Sequence, residues 1–204
     1  TSEPMLRVLP EPHRVKAGAL IAGARAAEGD WVLFCDMDQA TPVAELDVLT
    51  PAMDRGNEVV IGSRATHREG APLIRRLMAR GYIELRRLIL DLGPVTDTQC
   101  GFKVFRRDVL LESIDRLVVF RPGGGPVRGA TVAAAFDAEL LYLARRLGYR
   151  IAEVPVRWHY VGTRRVHPFR ESWRGLKGLI QIRLVDLRGG YPRTGRERAG
   201  IARS

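Results

Sequence analysis

At 204 residues, with 46% apolar and 7% aromatic side chains, the chain has the composition of a globular protein long enough for one ordinary domain with a sizeable core. No apolar run reaches the roughly 18 residues a membrane-spanning helix needs, and "TSEPMLRVLPEP" has neither the basic start nor the apolar stretch of a signal peptide, so a cytosolic location is expected. The net charge of +10 is unevenly placed: from Arg157 onward twelve Lys or Arg stand against three Asp or Glu, a bias that suits a membrane surface, a phosphate ester or nucleic acid.

"RVKAGALIAGARAAEGD" (14–30) repeats small residues at helical spacing and stops at Gly29-Asp30, which predicts a helix feeding a strand. "WVLFC" then has the continuous apolar character of a strand buried on both faces, as in a parallel sheet. "PVAELDVLTPAMDRG" predicts a helix with Thr41 as N-cap and Pro42 at its first position, and "NEVVIGSR" a second buried strand, a βαβ pattern. A basic amphipathic helix is expected over 72–92, where Leu73, Leu77, Arg80 and Glu84 separate apolar and charged faces. "DTQCGFKVFRRDVLLESI" reads as a loop and short strand leading into a helix, and "RPGGGPVRGA" as a mobile loop. "AAFDAELLYLARRLGY" predicts a strong helix and "RIAEVPVRW" a strand. A second basic amphipathic helix follows over 168–188, with 189–204 a basic, disordered tail.

The two cysteines, Cys35 and Cys100, lack C-x-x-C spacing and read as reduced thiols. Asp36 and Asp38 are the chemical signal: a D-x-D pair leaving a buried strand. In open α/β sheets, ligands bind at the carboxyl ends of parallel strands. Two hard oxygen donors there suit Mg²⁺ or Mn²⁺ bridging protein carboxylates to substrate phosphates.

"GDWVLFCDMDQATPVAEL", "VVIGSR", "DTQCGFKVFRR", "FDAELLYLARRLGYRIAEVPVRW" and "FRESWRGL", in that order, resemble the polyprenyl-phosphate (dolichyl-phosphate) glycosyltransferases of family 2, with "ATP" and "DTQCGFK" closer to the glucosyltransferase than to the mannose synthase branch. The resemblance implies an α/β fold of GT-A (Rossmann-like) type, a mostly parallel sheet flanked by helices. It implies inverting transfer of a hexose, glucose before mannose, from a nucleotide-diphosphate sugar such as UDP-glucose or GDP-mannose to a polyprenyl phosphate. The cofactor would be Mg²⁺ or Mn²⁺.

By the same resemblance Asp36 and Asp38 hold the metal, with Asp38 also catalytic. Asp137, favoured over Glu139, is a catalytic acid residue near the acceptor, although acidic residues also suit a helix N-terminus. Lys16, Gln39, Ser63, Arg64, Asp97, Gln99 and Lys103 contact the donor, a structural ion pair being the alternative for Arg64. Gly101 lets the backbone approach ligand closely, an ordinary turn being the alternative. Arg164 and Arg165 face the acceptor phosphate, and His159 and His167 are surface or supporting residues. The enzyme would sit peripherally at the inner, cytoplasmic face of the membrane through its two basic helices. Nucleic acid is not an expected partner, because the basic tail lacks interleaved aromatics; a homo-oligomer is compatible with the sequence.

Two departures stand out. The mannose synthase pattern has a metal-binding glutamine where this chain has Ala40, with Gln39 one position early, which leaves the third protein ligand open. The family's N-terminal strands and their acidic nucleotide-binding residues have no counterpart before Arg14, and of its G-K-G only Lys16 carries over. The expectation is a domain over 1–188 lacking its nucleotide-binding N-terminal half, roughly 60 to 90 residues by the size of two βα units. A noncatalytic remnant that binds a membrane or a partner protein is the alternative.

Overall fold

A computed structural model describes residues 7–11, 15–64, 81, 83–121, 131–159 and 168–192. Outside them lie the first part of the basic segment expected over 72–92, most of the glycine-rich loop, Arg164, Arg165, His167 and the tail from 193 onward.

The described elements follow the predicted order: α1 (Val15–Ala26), β1 (Trp31–Phe34), a 3-10 turn (Val43–Glu45), α2 (Leu46–Asp54), β2 (Val59–Ser63), a helical segment α3 (83–89), β3 (Lys103–Arg106), α4 (Arg107–Asp115), α5 (Thr131–Arg146), β4 (Ile151–Pro155) and α6 (Pro168–Leu187). The expected Thr41 cap is not formed. Pro42 precedes the 3-10 turn with extended backbone and no side-chain cap, and α2 starts only at Leu46.

The strands form one four-stranded sheet in the order β1-β3-β2-β4. β2 and β4 are parallel, whereas β3 runs antiparallel to both β1 and β2. Strands β1, β2 and β4 therefore share one direction, but β1 and β2 are not the neighbours that a βαβ reading suggests, because β3 lies between them. Register follows from this: Lys103 stands opposite both Phe34 and Ile61. β2, the central strand, is buried at every residue. β1 borders the described sheet on one side, with Trp31 36% exposed and Leu33 half-buried, so it is not covered on both faces as its apolar run suggested.

Two apolar clusters cover the two faces. One joins Val32, Phe34, Val59, Ile61 and Phe105 to α1, α4, α5 and α6, with the Phe34 and Phe105 rings 5.5 Å apart. The other joins Val60, Val104, Phe102 and Val156 to Leu49 and Ala52 of α2. The chain is thus a helix–sheet–helix sandwich, the architecture that hides both faces of a sheet. Within the helical layer Gly178 of α6 meets Ala135 of α5, where a Cβ would overlap the Ala135 methyl. Beyond α6, Tyr191 is buried, packed on Tyr142 at 5.7 Å.

Candidate active site

The carboxyl ends of β1, β2 and β4 and the start of β3 converge on one edge of the sheet. Beyond β1 the chain turns sharply: the Gln39 N–H donates to the Asp36 carbonyl at 3.0 Å, and the Ala40 N–H to Asp38 Oδ1 at 3.1 Å. Gln39 takes the left-handed conformation, φ 48°. The Ala40 carbonyl then accepts the His159 N–H at 2.7 Å, which fastens the turn to the exit of β4. The D-x-D pair is thereby held on a built turn, with Asp38 and Gln39 exposed and Asp36 partly buried.

Asp36 has two close neighbours. Lys16, in the first turn of α1, places Nζ 2.7 Å from Oδ1. On another side lies Gly101, where a Cβ would overlap the Asp36 carboxylate, so a larger residue there would have to displace it. Burial works to lower the Lys16 pKa, but Asp137, Asp36 and Asp38 together outweigh it and hold the ammonium above its usual value. Four residues from three segments thus share one electrostatic neighbourhood.

Asp137 and Lys103 form a buried pair, 3.2 Å apart, with Lys103 only 2% exposed and also donating to the Cys100 carbonyl. Asp137 lies six residues inside α5, so a helix N-terminus does not account for it. Lys103, read as a donor contact, is spent within the protein on Asp137 and the 97–101 loop. Glu139 is likewise consumed: its carboxylate accepts the N–H groups of Val118, Val119 and Phe120 and the Tyr191 hydroxyl.

Arg64 leaves β2 and grips Asp97 in a fork, Nε to Oδ2 at 2.8 Å and Nη2 to Oδ1 at 2.7 Å, while its own N–H bonds Oδ2 at 3.0 Å. Burial pushes the Asp97 carboxyl upward, yet the Arg64 guanidinium wins and holds it below the usual range. The structural ion pair is therefore what these two residues form. The guanidinium also lies over the Trp158 ring at 5.7 Å. Ser63 is buried beside it, and Gln99 is exposed on the turn before Gly101.

Two supporting carboxylates had no signal in the sequence. Glu153 of β4 accepts the Thr96 hydroxyl at 2.5 Å, the Thr96 N–H and, at 3.4 Å, the Asp97 N–H, fixing the loop that carries Asp97. Glu45, 2% exposed, accepts the Arg157 N–H at 2.9 Å and its Nε at 2.6 Å, joining the turn before α2 to the end of β4. Each links segments more than fifty residues apart, which no local pattern encodes. Both cysteines are free thiols, as read.

Asp36 and Asp38 supply two hard oxygen donors at a partly open edge, and no cluster of three His, Cys, Asp or Glu side chains occurs among the described residues. Ala40 offers no side-chain ligand. This donor set fits a divalent cation that takes its remaining ligands from water and substrate phosphates, the common condition for Mg²⁺.

Comparison with known proteins bears on this edge. The profile described as glycosyl transferase family 2 matches residues 2–113. The chain is 32% identical over 90% of its length to a dolichyl-phosphate beta-glucosyltransferase of Trichomonas vaginalis, 30% over 88% to that of Saccharomyces cerevisiae and 32% over 88% to that of Homo sapiens. It covers 51%, 54% and 54% of those proteins, about half the length of the curated relatives it matches. Among solved structures, glucosyl-3-phosphoglycerate synthase from Mycobacterium tuberculosis in complex with UDP superposes with a TM-score of 0.53 at 21% identity, over 93% of this chain and 59% of that one. The fold is the α/β GT-A arrangement. The chain belongs to glycosyl transferase family 2.

Proposed function

We propose that the chain forms part of a glycosyltransferase that moves glucose from a nucleotide-diphosphate sugar to a polyprenyl phosphate with inversion, assisted by Mg²⁺ or Mn²⁺. The observation that carries the reading is the meeting of Asp36, Asp38, Lys16 and Asp137 at the carboxyl edge of the sheet. The glucosyltransferase relatives favour glucose and dolichyl phosphate over the alternatives.

The acceptor phosphate is an anion at neutral pH and already a competent nucleophile, so the reaction asks little of a general base. The greater demand is charge on the departing nucleotide diphosphate, which a cation held by Asp36 and Asp38 would neutralise. Lys16 adds a second positive charge at the same place. Asp137, clamped by Lys103, sets a fixed negative charge behind the reacting centre and favours the positive character that develops on a sugar as its leaving group departs. Arg64 acts through its rigid fork with Asp97, shaping the donor wall with Trp158, and Gln39, Ser63 and Gln99 remain our candidates for donor contact. Arg164 and Arg165 remain our candidates for the acceptor phosphate.

Calorimetric titration of UDP-glucose, and of GDP-mannose beside it, in the presence of Mn²⁺ tests the reading. Metal-dependent heat from UDP-glucose that Asp38→Ala abolishes is expected. Heat indifferent to metal, or unchanged in Asp38→Ala, would overturn it.

A further inference from the structure

We propose that the Lys16 ammonium and the divalent cation compete for the Asp36 carboxylate, so that metal entry releases Lys16 to the donor diphosphate and makes cation and nucleotide bind cooperatively. The inference rests on the donor-site reading above and goes beyond it by assigning Lys16 two successive partners.

The contact at issue is direct, Nζ to Oδ1 at 2.7 Å, and made by side chains that are 37% and 41% exposed. An ion pair with that much access to water is cheap to break. The Lys103–Asp137 pair beside it is different, with side chains 2% and 5% exposed, and will not dissociate without strong cost. The two lysines therefore divide their work: Lys103 is fixed, and Lys16, on a flexible four-carbon stem from the first turn of α1, is free to swing.

Asp36 lies against the backbone at Gly101, where a Cβ would overlap its carboxylate. Lys16 is the cation already seated on that carboxylate, so an entering metal ion meets it there. Charge balance points the same way. Asp36, Asp38 and Asp137 carry three formal negative charges against the two positive charges of Lys16 and Lys103, a net of one negative. A divalent cation turns the edge to one positive, leaving a freed ammonium next to a site that now attracts a diphosphate. Lys16 thus weakens metal binding to the empty edge and strengthens it once nucleotide is present.

Binding of Mn²⁺ to the 204-residue chain, followed by the spin-resonance signal of the free ion, tests this with UDP absent and then present. Without UDP, Lys16→Met should bind Mn²⁺ about two- to five-fold more tightly than the unsubstituted chain, the reciprocal of losing an exposed pair. UDP should tighten Mn²⁺ binding in the unsubstituted chain and do so much less in Lys16→Met, while Lys16→Arg keeps both behaviours. Circular dichroism melting establishes that each variant is folded; if Lys16→Met is not, Lys16→Gln takes its place. If the unsubstituted chain binds Mn²⁺ but its removal of Lys16 leaves the affinity unchanged or weaker, competition is wrong and the metal site stands. If it binds no Mn²⁺ even with UDP, the metal reading itself fails and the competition with it.

Discussion

Asp97 is held in a buried ion pair with Arg64. Its carboxylate takes three bonds from Arg64, side chain and main chain together, and its side chain is 8% exposed. Removing one partner leaves the other charge buried and unpaired, so Asp97→Asn should cost about 3 kcal/mol at neutral pH. Because Arg64 depresses the folded-state pKa of Asp97, the pair's stabilisation is complete above the unfolded carboxylate value, about pH 4, and disappears as pH falls through the folded value. Urea unfolding across pH should therefore show the gap between the unsubstituted chain and Asp97→Asn closing on acidification below about pH 4. A gap that stays constant from pH 7 down to pH 2 would refute the account. Gly101, where the sequence suggests a close approach to ligand or an ordinary turn, has the Asp36 carboxylate as its near neighbour.

The helix α5 serves the site and the fold from two sides of one turn. Asp137 points to the carboxyl edge, while Glu139, fully buried two residues later, gathers three backbone N–H groups of 118–120 and the Tyr191 hydroxyl. Burial, with the Glu139 charge beside it, pushes the Tyr191 hydroxyl far above its usual pKa and keeps it a donor. Glu139→Ala strands those donors and should lower stability by about 3–5 kcal/mol in thermal or urea unfolding, whereas Tyr191→Phe, which removes one bond, should cost about 1 kcal/mol. Equal and small effects from both would mean that the segment after α6 is not packed as described.

At the scale of the whole molecule, α6 has two faces. Leu179 and Ile182 are buried against the core, while Trp173, Ile180, Leu184 and Leu187 recur at helical spacing on the outside, Trp173 60% and Leu187 63% exposed. Lys177 lies over the Trp173 ring, and Arg183 and Arg188 flank the stripe. No helix among the described residues is long and apolar enough to cross a membrane. From this stripe of apolar and basic side chains we propose that α6 rests in an anionic lipid surface, each basic residue adding about 1 kcal/mol of attraction. Co-sedimentation with anionic vesicles should be salt-sensitive and weakened about tenfold or more by Leu184→Glu; equal sedimentation of both chains would remove α6 from the contact.

The sequence by itself determined the element order, the family resemblance and the D-x-D pair at a strand end, because these are local: an apolar run, a helical period and short motifs can each be read within a dozen residues. The central strand β2 and the helices α1, α5 and α6 were legible for that reason. Tertiary structure decided what lies next to what. An apolar run marks a strand without naming its neighbours, so neither the insertion of β3 between β1 and β2 nor the one-sided burial of β1 could be read. The pairs Arg64–Asp97, Lys103–Asp137 and Glu45–Arg157 bridge 33, 34 and 112 positions, and only the folded chain shows which of many charged residues find one another. A charge removed from water must find its partner in space, and distance along the chain does not predict where that partner waits.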